Sequence, residues 1–236
     1  MKGNKRGQQK LMVRKSSKPA VYSTVLNPPP VRVTARGRGS LVEGTERFVT
    51  VSGQTAFTAL GFACQPTHPN FNILLRQGQL YESYRVESLE VLYIPSDGVT
   101  TTVGTIYLGW DYDCLDSLPA TVQNLVAMHS KAGRPYESFS LRVDCRRIHR
   151  ALQVLRVRGG PPPGGNINGY DMGKLIIGVI NASGSVAWGA IWIRYRIAFF
   201  NPSLNLVQAL STATAYTAPS NVVLHGHFAN PRHWRS

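Results

Sequence analysis

The chain has 236 residues, with 26 Lys and Arg against 12 Asp and Glu for a net charge of +14, and it is long enough to bury a sizeable core in one large domain. Cys64, Cys114 and Cys145 are odd in number, widely spaced and without a CxxC pair, which excludes a cysteine-spacing argument for a disulfide framework or structural zinc and favours a reducing compartment. The N-terminal residues lack the apolar stretch and small-residue cleavage site of a secretory signal, and the strongly apolar uncharged run 175–193 is broken by Gly178, Asn181, Ser183 and Gly184, so it reads as two strands around a turn rather than a membrane span.

The charge is concentrated at the start. Lys2, Lys5, Arg6, Lys10, Arg14, Lys15, Lys18, Arg32, Arg36 and Arg38 precede the first acid, Glu43, whereas the rest of the chain is only mildly positive. An uncompensated basic arm of this kind suits a polyanion held without sequence readout, and ten such cations on single-stranded RNA predict a log-affinity against log-salt slope of up to about −7. Residues 1–26 are polar and without hydrophobic periodicity, which predicts disorder. Pro28, Pro29 and Pro30 then predict a stiff, extended segment leading through Gly37 and Gly39 into the body. The expected organisation is therefore an arm over 1–40, one β domain over 41–205 and a tail over 206–236.

Strand signals recur through the body with turn signals between them. Candidate strands run over 47–52, 85–94, 101–111, 138–146, 151–158, 175–180 and 186–200. In 85–94, Leu89, Val91 and Tyr93 share one face; in 138–146, Phe139, Leu141, Val143 and Cys145 alternate with polar residues; in 186–200, Ile191, Ile193, Tyr195, Ile197 and Phe199 share a face. One helix is expected between Pro119 and Gly133, with Val122, Leu125 and Val126 at helical spacing. This pattern predicts an all-β fold, a sandwich or barrel.

Between the third strand and the helix lie Asp111, Asp113 and Asp116. Three carboxylates within six residues repel one another unless a cation intervenes, and a hard divalent ion such as calcium takes oxygen ligands of this kind. The alternatives are solvated acids, or Asp116 as a cap on the following helix. Enzyme motifs are absent: the histidines are scattered, and the glycines at 159–165 enclose three prolines and lack the residues of a phosphate-binding loop. A second group of arginines, Arg142, Arg146, Arg147, Arg150, Arg156 and Arg158, either extends a polyanion-facing surface or forms surface ion pairs. Trp188, Trp192 and Trp234 either stack bases or fill core and interface.

Several stretches together resemble the coat proteins of small icosahedral plant viruses with positive-strand RNA, of the tombusvirus and sobemovirus type. The segment Tyr81-Glu82-Ser83-Tyr84-Arg85-Val86-Glu87-Ser88-Leu89 is similar to that family's tyrosine-rich strand, and Tyr112-Asp113-x-x-Asp116-x-x-Pro119 to its acidic turn. Asp171-Met172-Gly173-Lys174-Leu175 and Gly189-Ala190-Ile191-Trp192-Ile193-Arg194-Tyr195, closed by Asn201-Pro202, resemble its last two strands. The resemblance covers about 41–205. It implies an eight-stranded jelly-roll shell domain, self-assembly of many copies into an icosahedral capsid, and viral single-stranded RNA as the partner of the basic arm. It also implies calcium at subunit contacts, with Asp113 and Asp116 as ligands and Asp111 outside the matched pattern. The expected place is the virion, with the host cytoplasm before assembly. An RNA-binding module that forms no shell, ribosomal or chaperone-like, is the alternative.

Overall fold

The computed structural model describes residues 30–96, 103–162 and 166–203. Ten strands and three short helices follow in order: β1 (Arg32–Arg36), β2 (Gly39–Ser52), β3 (Thr58–Cys64), α1 (Ile73–Gly78), β4 (Tyr81–Pro95), β5 (Thr105–Asp111), α2 (Val122–Val126), β6 (His129–Gly133), β7 (Phe139–Arg142), α3 (Cys145–Ile148), β8 (Leu155–Arg156), β9 (Gly173–Ile180) and β10 (Ala187–Pro202). The strands form two antiparallel sheets, one ordered β1-β2-β10-β4-β7 with β8 also on β4, the other β3-β9-β5-β6. Setting aside β1 and the two-residue β8 leaves four strands per sheet. The early strands pair with the late ones, β2 with β10 and β3 with β9, and the chain between them closes as β4 with β7 and β5 with β6. This is the eight-stranded jelly roll that the resemblance implies.

Strand alternation decides which side chains fill the space between the sheets. In β10, Ile191, Ile193, Tyr195, Ile197 and Phe199 are all buried, as their shared face requires, and they meet Leu89, Val91 and Tyr93 of β4 and Leu175, Ile177 and Val179 of β9 in one core. The turn expected within the uncharged run lies between β9 and β10, with Asn181 at φ 60°, a conformation asparagine tolerates better than most residues. No helix among the described residues is long and apolar enough to cross a membrane.

Several sequence expectations are corrected. Residues 32–36 form a strand rather than an extended connector, because β2 offers them a free edge from Glu43 to Gly39. The strand expected over 138–146 ends at Arg142; Asp144 accepts the Arg146 N–H at 3.0 Å and caps α3, so Cys145 turns into a helix. Of 151–158, only Leu155 and Arg156 pair as strand, against Tyr84 and Ser83. The helix after Pro119 is only five residues long and is capped by Thr121, whose hydroxyl accepts from Asn124 N–H, so Asp116 is not its cap. Gly133 belongs to β6.

A gap remains along β4, between its pairing to β8 at Ser83 and Tyr84 and its pairing to β7 from Glu90 onward. His149 fills it: its Nε2 accepts the Val86 N–H at 2.9 Å, and its Nδ1, 3.1 Å from the Leu152 carbonyl, carries the proton donated there. Only the neutral ring can do both. Burial, reinforced by Arg85, holds the imidazole below its usual range. The unfolded chain therefore binds the proton first as pH falls. The stabilising contribution of His149 is complete above the ordinary imidazole range and is lost as pH drops through its depressed folded value. A urea midpoint that falls more steeply from pH 7 to pH 5 in the wild type than in His149→Gln is the expected result; parallel curves refute it.

Candidate functional site

The acidic turn begins where β5 runs out. Asp111 is the last residue of that strand and lies opposite Lys174 of β9. The close approach depends on Gly173, at φ 139°, where a Cβ would stand 2.5 Å from Trp110 Nε1 and 2.7 Å from the Asp111 carbonyl. Asp111 is only 8% exposed; its Oδ1 accepts the Asp113 N–H at 3.0 Å, and its Oδ2 is buried without a protein partner. Burial pushes this carboxyl above its usual range, and the neighbouring Asp116 and Asp113 add to the rise.

Asp113 has the opposite character. Its Oδ1 accepts from Asn168 Nδ2 at 2.9 Å and from Leu115 N–H at 3.0 Å, and these bonds, Asn168 first, hold it below the usual carboxylate range. Asn168 also accepts the Cys114 N–H at 3.1 Å, so one amide fixes both sides of the turn. Lys174 Nζ donates to the Asp116 carbonyl. Asn168 and Lys174 are the functional neighbours that sequence reasoning missed. Lys174 could have been found from the Asp-Met-Gly-Lys-Leu motif, whereas Asn168, in a loop far along the chain, gave no signal.

The turn carries three carboxylates within six residues, oxygen donors of the kind a hard cation takes, and one of them has a buried oxygen without a protein partner. The Lys174 ammonium occupies the same neighbourhood and supplies part of the positive charge. Among the described residues no group of three or more His, Cys, Asp or Glu is arranged to hold a metal ion by itself. The opposite wall of the cleft is basic. Arg147 stacks over the Tyr112 ring at 4.1 Å, Tyr112 Oη accepts the Asp144 N–H at 3.1 Å, and it lies 3.0 Å from His129 Nδ1.

Of the candidate RNA-binding residues, Lys2, Lys5, Arg6, Lys10, Arg14, Lys15 and Lys18 lie outside the described residues. Arg32 and Arg36 sit on β1, which is exposed along its whole length, and Arg38 is exposed in the turn to β2. Arg36 Nη1 pairs with Glu87 at 2.7 Å. A truncation after residue 40 therefore strips a strand from the sheet as well as charge, and a cut before residue 30 separates the two effects. Cys64, Cys114 and Cys145 are free thiols, and burial pushes Cys114 up to about 12.

A two-sheet jelly roll whose first and last long strands pair, preceded by an exposed basic strand, defines a shell-type domain. Its backbone matches that of tobacco necrosis virus with a TM-score of 0.68 and 21% identity, over 76% of this chain and 90% of the other. It likewise matches a structure of melon necrotic spot virus with a TM-score of 0.70 and 20% identity, over 85% of this chain and 61% of the other. In sequence, 135 residues are 30% identical to the capsid protein of melon necrotic spot virus, covering 56% of this chain and 32% of that protein. The chain thus spans about a third of that relative's length. Residues 18–145 match the viral coat protein (S domain) model, and the chain belongs to that family.

Proposed function

We propose that this chain is a structural coat protein, not an enzyme, whose copies assemble into an icosahedral shell around viral single-stranded RNA. The observation that carries this reading is the joining of an S-domain jelly roll to an N-terminal segment with ten cations and no acid. The division of labour is physical. The β domain supplies a unit with one continuous apolar core for packing into a shell, and the arm supplies charge that neutralises phosphates without reading bases. The protein acts in the virion and resides in the host cytoplasm before assembly.

Asp111, Asp113 and Asp116 offer oxygens to calcium at a contact between copies, the remaining ligands coming from the neighbouring subunit. Bound calcium supplies the positive charge that offsets carboxylate repulsion. Burial raises the Asp111 carboxyl, and its deprotonation as pH rises adds to the repulsion, so a shell without calcium weakens as pH rises.

Full-length protein produced with RNA is expected to give closed particles by electron microscopy, with sedimentation slowed by chelator at about pH 8. The double variant Asp113→Asn/Asp116→Asn should no longer respond to chelator. Small soluble oligomers in place of particles would support the non-capsid RNA-binding module. Particles indifferent to chelator would remove calcium from the mechanism.

A further inference from the structure

The two sheets differ on the sides that face away from the core. The outer side of the four-stranded sheet is covered: Leu125 of α2 lies so close over it that a Cβ on Gly109 or Gly178 would come within 2.7 or 2.4 Å of its side chain. Among the described residues no helix lies over the outer side of the larger sheet, and strand register sets which of their side chains it presents. One row across it reads Thr45, Arg194, Glu90, Arg142; the next reads Arg47, Trp192, Leu92, Ser140. Arg32 and Arg36 of β1 point to the same side, because Arg32 pairs with Glu43 and Glu43 with Arg196.

Two of the acids on this side are engaged, while Glu43 forms no ion pair among the described residues. Glu90 takes Arg194 at 2.9 Å, and Glu87 takes both Arg196 at 2.9 Å and Arg36 at 2.7 Å. Arg47, Arg85, Arg142 and Arg156, all exposed, have no carboxylate within 4.0 Å among the described residues. Arg47 instead donates to the Thr50 hydroxyl at 2.9 Å. Next to Arg47, in the central strand β10, Trp192 is half-buried while both its neighbours, Ile191 and Ile193, are in the core. An indole beside Arg47, with Arg142 one row over on β7 and Arg85 farther along β4, combines an aromatic for a base with cations for the backbone, the composition of a single-strand nucleic-acid surface.

The geometry points to the outer side of the larger sheet as a second contact surface for single-stranded RNA, with a base stacked on Trp192 and phosphates on Arg47, Arg85 and Arg142. It rests on the coat-protein reading and extends it. The cations of β1 continue onto this surface, so RNA held by the arm passes directly across the sheet. Exposed arginines with flexible stems can follow a backbone of any sequence, and stacking on one indole accepts any base.

The test uses full-length chains and a labelled oligouridylate, with affinity measured from low to moderate salt. Arg47→Gln/Arg85→Gln/Arg142→Gln is expected to reduce the steepness of the log-affinity against log-salt line by about 2, at roughly 0.7 per cation removed. Trp192→Leu is expected to weaken binding by about tenfold. A chain with glutamine at positions 2, 5, 6, 10, 14, 15 and 18 reports the arm separately and should keep the residual slope that the triple variant lacks. If the wild type binds RNA and the triple variant matches it in slope and affinity, this surface is overturned while the coat reading stands. If the wild type itself shows no salt-dependent RNA binding, the packaging reading falls first. Loss of particle assembly with RNA affinity unchanged makes the surface a protein contact and also overturns the proposal.

Discussion

Replacing Glu46 with alanine is expected to destabilise the domain by about 3–5 kcal/mol, a large share of the stability a single domain possesses. Glu46 is only 8% exposed and lies on the core face of β2, where a carboxylate is costly unless fully bonded. It is fully bonded. Oε2 accepts from the N–H groups of Asn72 and Ile73 at 2.7 and 2.8 Å, and Oε1 accepts from Leu74 N–H at 2.9 Å and from the Tyr195 hydroxyl at 2.5 Å. The first three donors are the orphan groups at the start of α1, whose own cap residue, Asn72, contributes no side-chain bond. A strand residue 26 positions upstream thus caps the helix and ties it to β10 through Tyr195.

A graded series distinguishes this from simple cavity formation. Glu46→Gln keeps the shape and one accepting oxygen, and is expected to cost about 2 kcal/mol; Tyr195→Phe removes one hydroxyl bond and should cost about 1 kcal/mol. Denaturant unfolding of the four proteins measures the order directly. A Glu46→Ala protein within about 1 kcal/mol of wild type would mean that water replaces the carboxylate without penalty.

The long strands were legible in the sequence because their alternation is long. Residues 186–200 and 85–94 each carry five or more positions of in-out patterning, and the sheet register follows it apart from bulges at Ala187/Gly189, Ile191/Trp192 and Arg196/Ile197. The elements that were not legible have no pattern of their own. In β3, Thr-Ala-Leu-Gly-Phe-Ala-Cys is strand because β9 pairs with every residue of it, and β6, His-Ser-Lys-Ala-Gly, is strand because β5 does. Such segments are specified by their neighbours. The acidic turn shows the same division. Asp111, Asp113 and Asp116 stand out as a run, but what distinguishes buried Asp111 from hydrogen-bonded Asp113 is contributed by Gly173, Lys174 and Asn168, more than fifty positions away. The basic stretch from Arg32 to Arg38 shows charge and an extended connector in the sequence, and only the free edge of β2 reveals its hairpin.

The second large effect concerns the fork between Arg158 and Asp171. Nε and Nη2 of Arg158 each donate to one oxygen of Asp171 at 2.7 Å, with the acid's side chain wholly buried and the arginine's 14% exposed. Arg158 Nη1 donates further to the Gly160 carbonyl at 2.9 Å, and the Arg158 carbonyl accepts from the Thr67 hydroxyl. One guanidinium thereby anchors the start of the glycine-proline loop to the residue just before Met172 and β9. Asp171→Ala should cost about 3–5 kcal/mol, because it strands a cation that is already desolvated. That cost does not measure the net worth of the pair, since moving both charges out of water is itself unfavourable. Arg158→Met combined with Asp171→Leu is therefore expected to recover most of the lost stability in denaturant unfolding. What the double variant should not recover is the placement of the loop. The methionine has no donor for Gly160, so faster proteolytic nicking within 159–162 is expected even where global stability returns. Wild-type loop protection in the double variant would show that the fork sets stability and not loop position. A double variant as unstable as Asp171→Ala would show that the charges themselves hold the two segments together.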